Sequence, residues 1–312
     1  MARYFKKLPP GARCIRCRKQ AIISLPSHNA RFCKGCYETF FKTAVKRAMK
    51  KIGVSNKKPI MVAVSGGKDS LVLWEVLEEM GYRTKGLHIN LGIGEFSEAS
   101  SEKIAHFAKE RGFQWSQYHL KEVFGYTIVE LHNRLRRKTC SFCGKLKRQF
   151  LDMLTVKEGF EILATGHNLD DEAARLLGNL MGRRMDYVTK QYPYLPSPHP
   201  MLPAKIKPLY RLEIKEILIY AELKKIDPVE IDCPLSKGAT SRKFKKALDG
   251  LEMDMPGIKR NFLFGYIDHN TPSNSHIDNQ CKICGYPTYL SLCNVCNIKR
   301  LLEERDARQR DK

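Results

Sequence analysis

The stretch Ile60 to Ser70, IMVAVSGGKDS, constrains this chain more than any other. The short apolar, β-branched run Ile60 to Val64 has the length and composition of a buried strand. It breaks at Ser65-Gly66-Gly67, and Leu71, Trp74 and Leu77 then recur at helical spacing. A strand, a Gly-Gly turn and a helix opening near Asp69-Ser70 make an anion site. Glycines let the backbone approach a phosphate closely, and unpaired N–H groups at a helix N-terminus point at it. Lys68 adds a point charge, and Ser65 and Ser70 add hydroxyl donors. The loop is not a Walker A motif, because GxxxxGK[ST] is absent.

The 312 residues suffice for one sizeable α/β domain with small appendages. An apolar fraction of 43% and a charged fraction of 28% describe a globular chain. No apolar run reaches the roughly 18 residues of a membrane span, so no membrane partner is expected. The opening MARYFKKLPPGARC lacks an apolar export segment, and a cytoplasmic location is expected. Against 33 Asp and Glu stand 55 Lys and Arg, a net charge of +22. So large a surplus favours a polyanionic partner, nucleic acid above all.

Eleven cysteines in such a chain argue against a disulfide framework. Cys14-x2-Cys17-x15-Cys33-x2-Cys36 and Cys281-x2-Cys284-x8-Cys293-x2-Cys296 both have the spacing of four-thiolate zinc sites. Segments this small build little core, and the metal would supply their folding energy. His28 reads as a loop residue, since four thiols already complete a tetrahedron. After Cys36, a helical pattern to Lys51 carries Lys42, Lys46, Arg47, Lys50 and Lys51. It suits either phosphate contact or a solvated face packed on the main domain.

Between about 57 and 235, strand-like runs alternate with helical ones. The strands are expected at 60–64, 83–91, 114–120, 160–164 and 228–232. Alternation of this kind implies a doubly wound, mainly parallel sheet, which binds ligands beyond the carboxyl ends of its strands. That places loops 65–70, 89–95, 140–147 and 165–172 around one crevice. In Thr165-Gly166-His167-Asn168-Leu169-Asp170-Asp171-Glu172, Gly166 allows close approach of a nucleotide, and Asp170 or Asp171 caps a helix or holds Mg2+. His167 contacts substrate or packs uncharged. Cys140 and Cys143 follow the basic run Arg134 to Lys138, and Cys233 follows the last expected strand. Three thiols converging there fit an iron–sulfur cluster with one open iron, a catalytic zinc, a persulfide-forming pair, or no chemistry. Lys147 lies one helical turn beyond Cys143 and can face the same crevice.

SGGKDS after an apolar strand resembles the PP-loop of ATP pyrophosphatases, and the Gly166 segment resembles their second nucleotide motif. With the flanking zinc modules and the Cys140, Cys143 and Cys233 set, nearly the whole chain resembles the TtuA-type tRNA 2-thiolation enzymes. The related TtcA type shares the loop and the cluster but usually lacks the zinc modules. The resemblance implies an oxygen-sensitive 4Fe–4S cluster on Cys140, Cys143 and Cys233, with two Zn2+ in the terminal modules. ATP with Mg2+ would lie among Ala63, Ser65, Gly66, Gly67, Lys68, Asp69, Ser70, Ile89, Gly166 and Asp171, with Asp69 and Lys147 also catalytic. ATP would adenylate the 2-oxygen of a uridine or 5-methyluridine in tRNA, and sulfur on the open iron would displace AMP. The sulfur donor would be a ubiquitin-like thiocarboxylate protein or free sulfide, and the enzyme a homodimer. Rival readings are a PP-loop enzyme using a persulfide or an amine, and a non-catalytic zinc-finger RNA-binding protein.

Arg183 to Pro208 holds prolines at 193, 196, 198, 200, 203 and 208, which argues against any regular helix or central strand. Its tyrosines and cations suit either base stacking or a rigid connection. Helices are expected over 214–225 and 298–310, with a helix and connector over 237–259. The expected units are a zinc module with its basic helix (1–50), the PP-loop domain (51–235), a basic connector (236–275) and a C-terminal zinc module (276–312).

Overall fold

In a computed structural model, residues 8–135, 137–236, 240–270 and 276–310 are described. Arg136 of the basic run and Lys237 of the connector lie outside them. The chain opens with a hairpin, β1 (Ile23–Leu25) and β2 (Ala30–Phe32), followed by α1 (Lys34–Ile52). Tyr37, Phe41, Val45, Ala48, Met49 and Ile52 recur at helical spacing and form the buried face of α1. Its lysines turn outward, and Lys42 pairs with Glu79 at 3.0 Å. The basic helix therefore packs on the main domain by one side and keeps its charges on the other.

The central sheet starts with β3 (Ile60–Ala63), α2 (Lys68–Glu79) and β4 (Thr84–Asn90). Then come α3 (Gly94–Arg111), β5 (Trp115–His119), α4 (Leu120–Phe124), α5 (Ile128–Leu135), α6 (Thr139–Lys157) and β6 (Ile162–Ala164). The second half holds α7 (Leu169–Met181), α8 (Met185–Val188), β7 (Tyr194–Leu195), β8 (Ala204–Ile206) and α9 (Ile214–Leu223). The strand order is β5-β4-β3-β6-β8-β7, parallel except for the β7 edge. Alternation along β3 splits the core: Ile60 and Val62 join the layer of α1, α2 and α9, while Met61 joins the layer of α4, α5 and α6. The chain runs outward from β3 through β4 to β5, then restarts on the other side at β6. The switch point thus lies between the carboxyl ends of β3 and β6.

Two expectations are corrected here. Residues 228–232 are not a strand. The segment runs beside the glycine loop instead, and Val229 N donates to Gly66 O at 2.9 Å. Conversely, the proline-rich stretch does hold an interior strand, β8, paired with both β6 and β7. The run Ala204 to Lys207 between Pro203 and Pro208 keeps its N–H groups, so the prolines bracket the ladder without breaking it. The short α8 also forms, ahead of the first proline.

The tail consists of α10 (Thr240–Asp254), α11 (Ile258–His269) and α12 (Asn294–Arg310). The first two pack against α7, while Ile298 and Leu302 of α12 enter the core beside α5 and α6. Among the described residues no helix is long and apolar enough to cross a membrane.

Candidate active site and metal centres

At the switch point lies a cavity of about 330 Å³. Ala63, Ser65, Asp69, Ser70, Ile89, Lys147, Gly166 and Asp171 all line it, brought together from β3, α2, β4, α6 and the two ends of the β6–α7 turn. Gly66, Gly67 and Lys68 belong to the loop but not to the lining. Gly67 caps α2, and Lys68 Nζ sits 3.0 Å from Asp69 Oδ2. Gly66 has φ of +76°, and a Cβ there would meet Ser100 O at 3.0 Å. A Cβ on Gly166 would fall 2.9 Å from the carbonyl carbon of Asp69 and 3.0 Å from Ser70 N. The two nucleotide motifs thus touch backbone to backbone, which only glycine permits.

Hydroxyls fix the loop: Ser70 Oγ donates to Gly67 O at 2.9 Å, and Ser65 N donates to Ser70 Oγ at 3.1 Å. Asn168 Nδ2 holds Asp69 Oδ1 at 3.0 Å. The N-cap of α7 is Asn168, not either aspartate; Asp171 completes its capping box and pairs with Lys245. Burial pushes the carboxyl of Asp171 up, but its surroundings, Lys245 foremost and the Asn168 N–H with it, hold it below its ordinary range. Asp170 faces away from the crevice, bonded to Lys259 Nζ at 2.6 Å and Ile214 N at 2.7 Å. It ties helices together, so of the two candidate Mg2+ ligands only Asp171 faces the cavity. Burial lowers His167 to about 4, leaving a neutral ring whose Nδ1 is 2.8 Å from Thr165 Oγ1. Burial also lowers Lys147, while Cys143 and Cys233 pull it back up.

The terminal cysteines form two sets, each with its ligand atoms within 4.8 Å of one another. Cys17 and Cys33 sulfurs are 3.5 Å apart and those of Cys284 and Cys293 3.7 Å. Tetrahedral thiolates at about 2.3 Å from one zinc are spaced in this way. The modules are built alike. Arg13 bridges Gln20, and Gln280 bridges Pro287, each closing a turn around the first CxxC. Cys33 and Cys293 each stand just before a helix that carries the last ligand, Cys36 or Cys296. Burial opposes the thiolates of Cys14 and Cys281, but backbone N–H groups of the turn outweigh it and bring both to about 6. A third group, His28, Glu213 and Glu216, also lies close enough to share one ion. There His28 Nε2 lies 2.6 Å from Glu216 Oε1 and 3.0 Å from Arg260 Nη2. His28 is therefore no bare loop residue, and Arg260 supplies the positive charge a metal would bring.

Cys140, Cys143 and Cys233 are not among the sets whose sulfurs fit one ion. They are nonetheless neighbours. Cys143 and Cys233 pack against the same core layer, and burial raises the Cys143 thiol to about 11. Cys140 Sγ reaches Leu235 O at 3.7 Å, two residues beyond Cys233. Three cysteines without a fourth protein ligand match the donor set of a cluster with one open iron and equally that of a catalytic zinc. They flank the cavity rather than line it, joined to it through Lys147 on α6, which is a helix and not the expected loop.

A PP-loop domain model matches residues 37–232, and one for the 2-thiouridine synthetase TtuA N-terminal LIM domain matches 13–38. A tRNA-5-methyluridine(54) 2-sulfurtransferase of Thermus thermophilus is 40% identical, over 91% of this chain and 90% of its own. The chain belongs to the TtuA family of PP-loop tRNA 2-sulfurtransferases. Another relative of the same name, from Thermotoga maritima, is 35% identical over 94% of this chain and 98% of its own. The U34-tRNA thiolase NcsA of Methanococcus maripaludis, solved with its [4Fe-4S] cluster, superposes with a TM-score of 0.80 at 27% identity. That match covers 92% of this chain and 95% of NcsA. For a TtuA-family site, sequence reasoning missed Arg148 and Gly144, which also line the cavity. Their helical spacing from Lys147 and Leu151 was the available signal.

Proposed function

We propose that this chain thiolates a tRNA uridine or 5-methyluridine at its 2-position, using ATP and a 4Fe–4S cluster held by Cys140, Cys143 and Cys233. The observation that carries this is α6 itself. Lys147 lines the nucleotide cavity one helical turn beyond Cys143, and Cys143 packs with Cys233 against the same core layer, so nucleotide and sulfur chemistry meet along one helix.

The loop from Ser65 to Ser70 and the N-terminus of α2 bind the phosphates of ATP. Ala63, Ile89 and Gly166 accommodate the nucleoside, while Asp69 and Asp171 offer carboxylates to Mg2+. The uridine 2-oxygen attacks the α-phosphorus, and the bond to pyrophosphate breaks. Lys147 stabilises the charge that develops there, in a site where burial strengthens it. Sulfur then adds at C2, and AMP leaves with the former 2-oxygen. The cluster, when bound, supplies an iron without a protein ligand as the seat of that sulfur. The two four-cysteine modules hold Zn2+ and brace the domain from both ends. The division at 50, 235 and 275 follows these roles. As the family resemblance implies, the donor is a thiocarboxylate protein or sulfide, and the enzyme acts as a cytoplasmic homodimer.

Anaerobic purification with iron, sulfide and zinc counts tests the assignment. About four irons and two zincs per chain are expected. Two zincs and no iron after anaerobic reconstitution would overturn the cluster.

A further inference from the structure

Helix α6 borders two cavities. Gly144, Lys147 and Leu151 face the nucleotide crevice, while Gln149 and Asp152 face a second cavity of about 310 Å³, and Arg148 borders both. The far walls of the second cavity come from the proline-rich segment and the C-terminal module, among them Pro196, Pro198, Tyr286 and Tyr289. These walls are tied together: Ile277 N donates to Pro198 O at 3.1 Å, and Val295 N donates to Gln149 Oε1 at 3.2 Å.

Asp152 is only 6% exposed. Its Oδ2 accepts from Lys205 Nζ at 2.7 Å, whereas its Oδ1 is buried without a hydrogen-bond partner. A buried carboxylate oxygen lacking a donor is unfavourable, and Asp152 itself lines the cavity. At the rim Lys190 Nζ stands 4.0 Å over the ring of Tyr289, which is half exposed.

We propose that this cavity takes an unpaired nucleobase of the tRNA, flanking the one that reacts, with a base N–H donating to the Asp152 carboxylate at the cavity wall. The inference rests on the tRNA reading above. Flat proline and tyrosine walls suit an unstacked base, which is how single-stranded RNA is generally read. Lys190 and Arg148 suit the adjoining phosphates, and Arg148 marks the step from one cavity to the other. The C-terminal module thereby gains a role in substrate choice, since its tyrosines complete the wall.

The test is anaerobic binding of transcribed tRNA to the full chain across a range of salt. Asp152→Asn keeps shape and an acceptor for Lys205 but turns an N–H2 toward the base. About tenfold weaker binding is expected, with an unchanged salt slope, because no phosphate contact is lost. Tyr289→Ala, on the surface, should weaken binding by a similar factor of about ten. Lys190→Ala should lower the salt slope by about one. ATP affinity, unchanged in all three, reports folding. Wild-type tRNA affinity in both Asp152→Asn and Tyr289→Ala would overturn the proposal. If those variants instead slowed sulfur transfer from a thiocarboxylate protein, the cavity would belong to that partner's tail. Wild-type protein that binds no tRNA would refute the proposed function itself.

Discussion

The contact between Gly166 and the backbone of Asp69 and Ser70 leaves no room for one methyl group. Backbone cannot yield as a flexible side chain can, so Gly166→Ala should cost about 1–3 kcal/mol of stability and weaken ATP binding about tenfold or more. Calorimetric titration with ATP and a thermal melt read both. His88, buried beneath the loop, donates from Nδ1 to Val64 O at 3.0 Å. Burial lowers it to about 4, whereas an unfolded histidine titrates near 6.5. Between those values the unfolded chain binds the extra proton. Its contribution is therefore complete above about pH 6.5 and is lost as pH falls toward 4, by up to about 3 kcal/mol. Urea midpoints should drop from pH 7 to pH 5 in the wild type and less steeply in His88→Gln. An equal drop in both would contradict this.

Among the elements, the two four-cysteine modules brace the same domain at different places. The N-terminal one enters through α1, whose Phe41 stacks on Tyr220 of α9 with ring centroids 3.9 Å apart. The C-terminal one enters through α12. Cys281→Ser should remove one zinc per chain, loosen Ile298 and Leu302 from the core and cost several kcal/mol, of the order of a structural zinc ligand's share. Zinc counting and denaturation check this; an unchanged zinc count would contradict it. These modules were legible because CxxC spacing is set by tetrahedral geometry, which does not depend on the rest of the fold. Strands β3, β4, β5 and β6 were legible for a similar reason, as short apolar or alternating runs between helical patterns. PVEID at 228–232 alternates just as well, yet its partner is the carbonyl of Gly66 and not a strand, and local pattern cannot choose between them. β8 was hidden by its bracketing prolines. Asp170 read as a possible Mg2+ ligand because its partners, Lys259 and Ile214, lie far along the chain.

Of the net charge of +22, +13 falls within residues 1–51, the N-terminal module and α1, so a polyanion that tracks this end meets most of the excess. If about six phosphates are neutralised, tRNA affinity should fall roughly a thousandfold between 50 and 200 mM salt, which a filter-binding series measures. A flat salt response would argue against a backbone-tracking surface. The claim that joins all parts is that one helix, α6, couples ATP activation of the uridine to sulfur held at Cys140, Cys143 and Cys233. The direct measurement is nucleoside mass spectrometry of tRNA incubated anaerobically with ATP, sulfide and the protein. The wild type should form a 2-thiouridine with one AMP and one pyrophosphate per sulfur, while Cys140→Ala, Cys143→Ala and Cys233→Ala form none yet still bind ATP. Thiolation at the wild-type rate by any of the three variants would contradict the account.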